Sequence, residues 1–131
     1  MAEKVPETRP FLEERYGLPP GGTLPVVDTY FDLWGNLLDA LTRQVLQPAL
    51  LADPLDEDLL RRCFDVVEVA YATLGDDPGG TVYFTVLESL LDAEGYLANA
   101  VPFLRGPVRD RTSKMCRTYE VEGYETGLPP L

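Results

Sequence analysis

The feature that most constrains the fold is a pair of amphipathic patterns separated by a turn of glycine, aspartate and proline. Across residues 54–74 apolar side chains recur at spacings of three and four, and the same spacing resumes over residues 87–98. This period is typical of one face of an α-helix. The connection Gly75-Asp76-Asp77-Pro78-Gly79-Gly80 interrupts the pattern, and such residues end helices and form turns. The stretch therefore predicts an antiparallel helical hairpin.

The bounds of the hairpin helices follow from residues that start and stop helices. Asp53 is the predicted N-cap and Pro54 the first helical residue, and Gly75 ends that helix. The second helix is ambiguous at its start, because residues 81–86 are rich in β-branched and aromatic side chains, which favour strands. A lone strand would have no partner, so the pattern predicts one helix over residues 81–98.

Three further helices are predicted, over residues 10–16, 26–47 and 107–119. The second is long and apolar on more than one side, with Trp34 on its buried stripe. Gly35 within it indicates the close approach of a neighbouring helix, since glycine weakens a helix interior. The same helix is expected to stop near Gln47–Pro48, because a residue before proline avoids helical geometry.

These elements predict an all-α fold, a compact bundle of four to five mainly antiparallel helices, with a hairpin of the kind that stacks in helical repeats. The 131 residues suit a single domain over residues 1–131. Within it, residues 8–122 are the expected ordered core, and residues 1–7 and 123–131 are expected to be loose termini.

The charge of the chain favours some partners over others. It carries 22 acidic and 11 basic residues, a net charge of −11, and residues 53–105 hold eleven acids against three bases. Nucleic acids and anionic lipids need a basic surface, so the composition predicts neither, and it suits a basic protein partner. The chain shows no secretory h-region and no apolar run of membrane-spanning length. With two isolated cysteines, expected to be reduced, this indicates a cytoplasmic protein.

Catalytic signals are few. Histidine is absent, which excludes catalytic triads and histidine-based metal sites. The chain is therefore predicted to be neither an enzyme nor a cofactor protein. The alternative is a magnesium-dependent all-helical hydrolase, if two carboxylate pairs on facing helices meet. Its candidate ligands are Asp65, Glu68, Glu88 and Asp92. The motif of all-helical nucleotide pyrophosphohydrolases, Glu-Glu-x-x-Glu followed by Glu-x-x-Asp, is absent, and ordinary solvated helix faces explain the same spacing.

The predicted partner-binding residues lie at the ends of the hairpin helices. Exposed tyrosines beside acids are common at protein interfaces, and the candidates are Asp56, Glu57, Asp76, Asp77 and Tyr83. The basic cluster is expected to pair with the acidic hairpin, and its members are Arg105, Arg109, Arg111, Lys114 and Arg117. Glu88 lies beside the apolar stripe and needs a hydrogen-bond donor, such as Arg62 or a loop N–H.

Three short segments carry a resemblance to known proteins, namely Leu74-Gly75-Asp76, Val86-Leu87-Glu88-Ser89-Leu90 and Leu104-Arg105-Gly106-Pro107. The pattern, spanning about residues 54–119, resembles a group of small helical bacterial proteins that are compared with the immunity proteins of polymorphic toxin systems. The resemblance implies a non-enzymatic binding role. Our leading hypothesis is an acidic, immunity-like binding protein that masks a basic effector such as a nuclease toxin. A structural or regulatory module is a third hypothesis.

Overall fold

Helices and turns make up the described part of the chain. The computed structural model describes residues 3–22, 35–77 and 80–130, and these ranges contain no strand. The all-α class is therefore confirmed, with six helices in these ranges where four to five were predicted. A short 3₁₀ turn, Pro6–Thr8, precedes the first. The helices are α1 (Arg9–Tyr16), α2 (Asn36–Leu46, continued by Gln47–Leu50), α3 (Glu57–Leu74), α4 (Tyr83–Leu87, continued by Glu88–Leu91), α5 (Tyr96–Ala100, continued by Val101–Phe103) and α6 (Gly106–Thr118).

Helix α1 matches its prediction, and α2 departs from it at the C-terminal end. Gly17 ends α1 in the left-handed conformation, with φ of 66°. The prediction that Pro48 stops the next helix is wrong, because α2 continues through it to Leu50. Residues Asn36–Leu46 have wide π-type winding, and Gln47 still donates to Thr42 across five residues. Pro48 lies in the first turn of the α-helical segment Gln47–Leu50 that follows. Proline is tolerated in the first turn of a helix.

The N-terminal part of the predicted long helix, including Trp34, lies outside the described residues. Gly35 is described, and it confirms the expected close approach. A Cβ added at Gly35 would lie 2.7 Å from the guanidinium carbon of Arg15 on α1. The absence of a side chain at this position therefore leaves room for the end of Arg15.

Helix α3 begins three residues later than predicted. Asp56, not Asp53, is the N-cap, and its carboxylate accepts the N–H of Leu59 at 3.1 Å. The Asp53–Pro54 peptide is cis and precedes the helix. Asp56 has the non-helical backbone that an N-cap needs, with φ −83° and ψ 88°. Gly75 ends α3 as predicted, at φ 57°.

The predicted single helix over residues 81–98 is wrong, since the chain forms α4 and α5 with a turn between them. Gly95 adopts φ 93° immediately before α5. That conformation is left-handed and cannot occur inside a right-handed helix. The apolar period continues on both sides of the turn because both helices pack against the same core.

One contiguous apolar core joins the helices. Phe64 of α3 stacks on Phe103, with ring centres 6.3 Å apart. The free thiols of Cys63 on α3 and Cys116 on α6 are both buried, and burial raises the pKa of Cys63 to about 12. Burial of these apolar side chains is the main source of stability in such a fold. Within the described residues, no helix is long and apolar enough to cross a bilayer.

Both predicted loose termini contact the helices. Val5 is fully buried in the core, and Glu7 forms an ion pair with Arg62 of α3 at 2.7 Å. At the other end, the N–H of Leu128 donates to the hydroxyl of Ser113 on α6 at 3.0 Å. Termini stay ordered when such contacts tie them down. The structure thus extends the packed chain beyond the predicted core of residues 8–122 at both ends.

Candidate functional site

The acidic turn after α3 is held by its own side chains. Asp76 accepts a hydrogen bond from the hydroxyl of Tyr71 at 2.9 Å. It also pairs with Arg111 of α6, whose Nε lies 3.1 Å away. Burial, and then the hydrogen bond to Asp76, raise the pKa of Tyr71. Asp76 is therefore a structural link between the hairpin turn and α6.

Arg111 extends this link to two further tyrosines. Its guanidinium carbon lies 4.1 Å from the ring centre of Tyr83, within the range of a cation–π interaction. Burial, and then a hydrogen bond with Tyr119, raise the pKa of Tyr83. Tyr119 in turn donates to Glu88 at 3.1 Å. A continuous set of contacts thus joins α3, α4 and α6, and we refer to it as the tyrosine network (Tyr71, Asp76, Arg111, Tyr83, Tyr119 and Glu88).

Glu88 has a different hydrogen-bond donor from the one expected. The sequence suggested Arg62 or a loop N–H, and the donor is the hydroxyl of Tyr119. Arg62 is engaged by Glu7 and Asp58. The residues of the true pair are 31 positions apart, and no local pattern could have connected them.

Asp77, another predicted contact residue, caps α4. Its carboxylate accepts the N–H of Thr81 at 2.7 Å and the hydroxyl of Thr81 at 2.8 Å. A carboxylate that caps the first turn of a helix satisfies backbone donors that would otherwise lack a partner. Sequence reasoning placed Asp77 in the turn correctly and missed this role.

Of the five predicted contact residues, only Glu57 has no internal role among the described residues. Asp56 caps α3, Asp76 and Tyr83 belong to the tyrosine network, and Asp77 caps α4. Glu57 lies in the first turn of α3 and is exposed. The five predicted contact residues therefore do not form one surface patch, and four of them have contacts within the molecule.

The four carboxylates of the magnesium alternative do not meet. Asp65 pairs with Lys4 at 3.4 Å. Asp92 accepts a hydrogen bond from Gln47 at 3.0 Å, and Glu88 is bound by Tyr119. Within the described residues, which include all four, no group of three or more metal-ligating side chains lies close enough to hold an ion. The helix faces that carry them are separate.

The basic cluster divides into different roles. Arg111 pairs with the acidic turn, as expected. Arg109 is buried and donates to the carbonyls of Val101 and Pro129, so it fixes the C-terminal segment on α6. Arg117 donates to Ser113 at 3.2 Å. Arg105 and Lys114 are exposed.

An exposed leucine between acidic residues marks one end of the bundle. Leu51 follows α2 and is 55% exposed, and a Cβ added at Gly95 would lie 4.0 Å from its Cδ2. Leu51 is therefore a neighbour of the turn 92–95. We call this turn, together with the segment 51–58 that leads from Leu51 to the start of α3, the Leu51 end. Their exposed acids are Asp53, Asp56, Glu57, Asp58, Asp92 and Glu94.

The Leu51 end is held by two amide side chains. Gln47 of α2 donates to the carbonyl of Ser89 at 3.2 Å and to Asp92. Asn99 of α5 donates to the carbonyl of Leu50 at 2.7 Å. These bonds fix the end of α2 against α4 and α5, so Leu51 projects from a supported position.

A cleft lies between the second half of α3 and the start of α6. It has a volume of about 240 Å³. Apolar surface from Tyr71, Ala72, Pro107 and Val108 lines it, with Glu68 and Arg105 as its charged residues. The hydroxyl of Tyr71 is fixed by Asp76, so the tyrosine network supports one wall of the cleft.

Comparisons of the chain with protein-family models, with curated proteins and with solved structures gave no match. The class of protein is defined by the fold itself, which over the described residues is an all-α helical bundle.

Proposed function

We propose that the protein is an acidic protein-binding module and that it contacts a basic partner protein through the Leu51 end. The observation that supports this proposal is the exposed Leu51 among six exposed acidic residues, on a segment braced by Gln47 and Asn99. Protein interfaces commonly combine apolar side chains that become buried with a polar, solvent-accessible rim.

Charge and apolar surface would contribute differently to such a complex. The net charge of −11 attracts a basic partner over a distance and raises the association rate, an effect that salt screens. Leu51 would bury its side chain on contact, and this burial is largely insensitive to salt. The complex should therefore associate more slowly at high salt and dissociate faster when Leu51 is truncated.

The resemblance to immunity proteins supports a particular kind of partner. A basic effector such as a nuclease toxin would have the complementary charge, and masking it requires no catalytic group on the binding protein. The separation of Asp65, Glu68, Glu88 and Asp92 leaves the magnesium alternative without a supporting observation.

The test uses the product of the adjacent gene as the candidate partner, with binding measured by surface plasmon resonance. The double variant Glu57→Gln with Glu94→Gln removes two charges from the Leu51 end. Its matched control, Glu122→Gln with Glu125→Gln, makes the same chemical change at two exposed glutamates elsewhere. We expect the first variant to lower the association rate and the second to lower it much less.

The contribution of the Leu51 side chain to binding is tested with a second pair of variants, one at Leu51 and one at a control position. Leu51→Ala should increase the dissociation rate by about tenfold, the equivalent of about 1.4 kcal/mol. Val69→Ala truncates another exposed apolar side chain, 68% exposed on α3, and should leave the rate unchanged. Equal effects of all the glutamate variants, together with no effect of Leu51→Ala, would rule out this surface.

A further inference from the structure

We propose that the cleft between α3 and α6 binds a small zwitterion, specifically a free α-amino acid with an apolar side chain. This inference does not depend on the protein-binding function and concerns a different surface from the Leu51 end. Glu68 and Arg105 line the same cleft with opposite charges, and this arrangement is the basis of the proposal.

The two charged side chains are not paired with each other. Among the described residues, the side chains of Glu68 and Arg105 form no ion pair with each other or with another residue. Two other carboxylates do have partners, since Asp65 pairs with Lys4 and Asp76 pairs with Arg111. Two unpaired, opposite charges on one cleft suit a small ligand that carries both an ammonium and a carboxylate group.

The rest of the cleft lining is mainly apolar. Tyr71, Ala72, Pro107 and Val108 supply most of the lining, and burial of an apolar ligand side chain against them is favourable. The volume of about 240 Å³ is below the usual range for drug-sized ligands, which begins at about 300 Å³. A molecule of the size of a single amino acid suits this space.

Charge complementarity then sets the orientation of the ligand. Its ammonium group would lie at Glu68 and its carboxylate at Arg105, whose guanidinium can bind a carboxylate through two hydrogen bonds. The side chain would lie against Tyr71, which is already fixed by its hydrogen bond to Asp76. A preformed wall of this kind lowers the cost of ordering the site on binding.

Nuclear magnetic resonance titration of the ¹⁵N-labelled protein tests the inference, with L-leucine and L-phenylalanine as probes. We expect saturable shifts of the amides of Ala72 and Val108, with a Kd of about 1 mM or below for at least one probe. Two analogues separate the charges: N-acetyl-L-leucine lacks the ammonium, and L-leucinamide lacks the carboxylate. Each analogue should bind at least about tenfold more weakly than leucine.

The variants Glu68→Gln and Arg105→Gln should each weaken binding of the intact amino acid by a similar factor. Glu68→Gln keeps the size of the side chain, and Arg105→Gln leaves a shorter polar side chain at an exposed position; thermal unfolding would verify that both variants fold. Glu57→Gln and Arg43→Gln are controls at exposed residues outside the cleft and should bind as the parent protein does.

Three outcomes would overturn the proposal. The first is the absence of saturable shifts at about 10 mM of either amino acid. The second is equal affinity of the parent protein and both cleft variants. The third is equal affinity for leucine and for N-acetyl-L-leucinamide, since the cleft would then accept an apolar side chain of a peptide without recognising a zwitterion.

Discussion

Arg111 of α6 contacts Tyr83 of α4 through the face of the ring, with the guanidinium carbon 4.1 Å from the ring centre. The same guanidinium donates from Nε to Asp76 in the turn between α3 and α4. One side chain thus connects the last long helix to both the hairpin turn and its second helix. Two residues predicted to contact a partner, Asp76 and Tyr83, therefore have an internal contact with Arg111.

Truncating Arg111 should destabilise the protein. Arg111→Met removes the ion pair with the largely exposed Asp76 and the cation–π contact, at a combined cost of about 1–2 kcal/mol in the free energy of unfolding. Urea denaturation at neutral pH measures this cost. Arg43→Met changes an exposed arginine of α2 and should alter stability by less than about 0.5 kcal/mol. Equal values for the two variants would show that the Arg111 contacts contribute nothing.

The start of α3 can be located by comparing two aspartates. Asp56→Ala removes the N-cap that binds the N–H of Leu59 and should cost about 1 kcal/mol. Asp53→Ala lies before the helix and is exposed, so its cost should be a few tenths of a kcal/mol. The free energies of unfolding of the two variants show which aspartate caps α3. A larger loss at Asp53 would place the cap where the sequence pattern first suggested.

The turn between α4 and α5 predicts opposite results for two glycines. Gly95→Ala places a side chain at φ 93°, and the strain should lower stability by about 1–2 kcal/mol. Gly35 is helical, with φ −62°, and the atoms nearest to an added Cβ belong to the end of the flexible Arg15 side chain. Gly35→Ala should therefore be neutral or stabilising by up to about 1 kcal/mol. Thermal unfolding would distinguish the two, and a stabilising Gly95→Ala would contradict the turn.

The contact of the N-terminal segment with α3 should depend on pH. The hydrogen bond from Arg62 is the main cause that lowers the pKa of Glu7 below its ordinary value of 4.5. A lowered pKa in the folded state means that Glu7 stabilises the fold above its unfolded pKa. This contribution is lost as the pH falls through the lower, folded value.

Glu7→Gln should accordingly reduce stability at pH 7, by up to about 1 kcal/mol for a partly exposed pair, and the difference from the parent should vanish near pH 2. Glu3→Gln is the matched control, since Glu3 is exposed. Chemical denaturation across this pH range provides the measurement. A difference that persists unchanged in acid would exclude the ion pair as its source.

The sequence predicted the helices better than their ends, and the ends better than the contacts between them. The apolar period located α3 and α6 because a buried stripe must follow the helical repeat. The apolar period could not show whether Asp53 or Asp56 is the N-cap, since both are aspartates. The backbone conformation of Asp56 identifies it as the N-cap. The same period led to the prediction of one helix through Gly95. It continues on both sides of the turn because α4 and α5 pack against the same core.

The candidate sites depended on tertiary contacts that no local pattern contains. The sequence identified Asp76, Asp77 and Tyr83 as polar and accessible residues near a turn, which is correct for their position in the chain. Their internal roles arise from Arg111 and Thr81, and the Arg111 contact spans 35 residues. Leu51 was overlooked because it lies in a short apolar linker, where its exposure depends on how the turn before α5 packs. The cleft residues Glu68 and Arg105 meet only when α3 and α6 pack together.

The winding of α2 has a consequence for the shape of its buried face. With hydrogen bonds that span five residues over Asn36–Leu46, a turn of this helix takes more than the usual 3.6 residues. Each residue then rotates by less than about 100° about the axis, so side chains four apart drift less far forward around this helix than around an α-helix. Leu37, Leu41 and Val45 follow that spacing and are all buried. The row of buried side chains on helix α2 therefore runs at a different slant to the helix axis from the row on a regular α-helix.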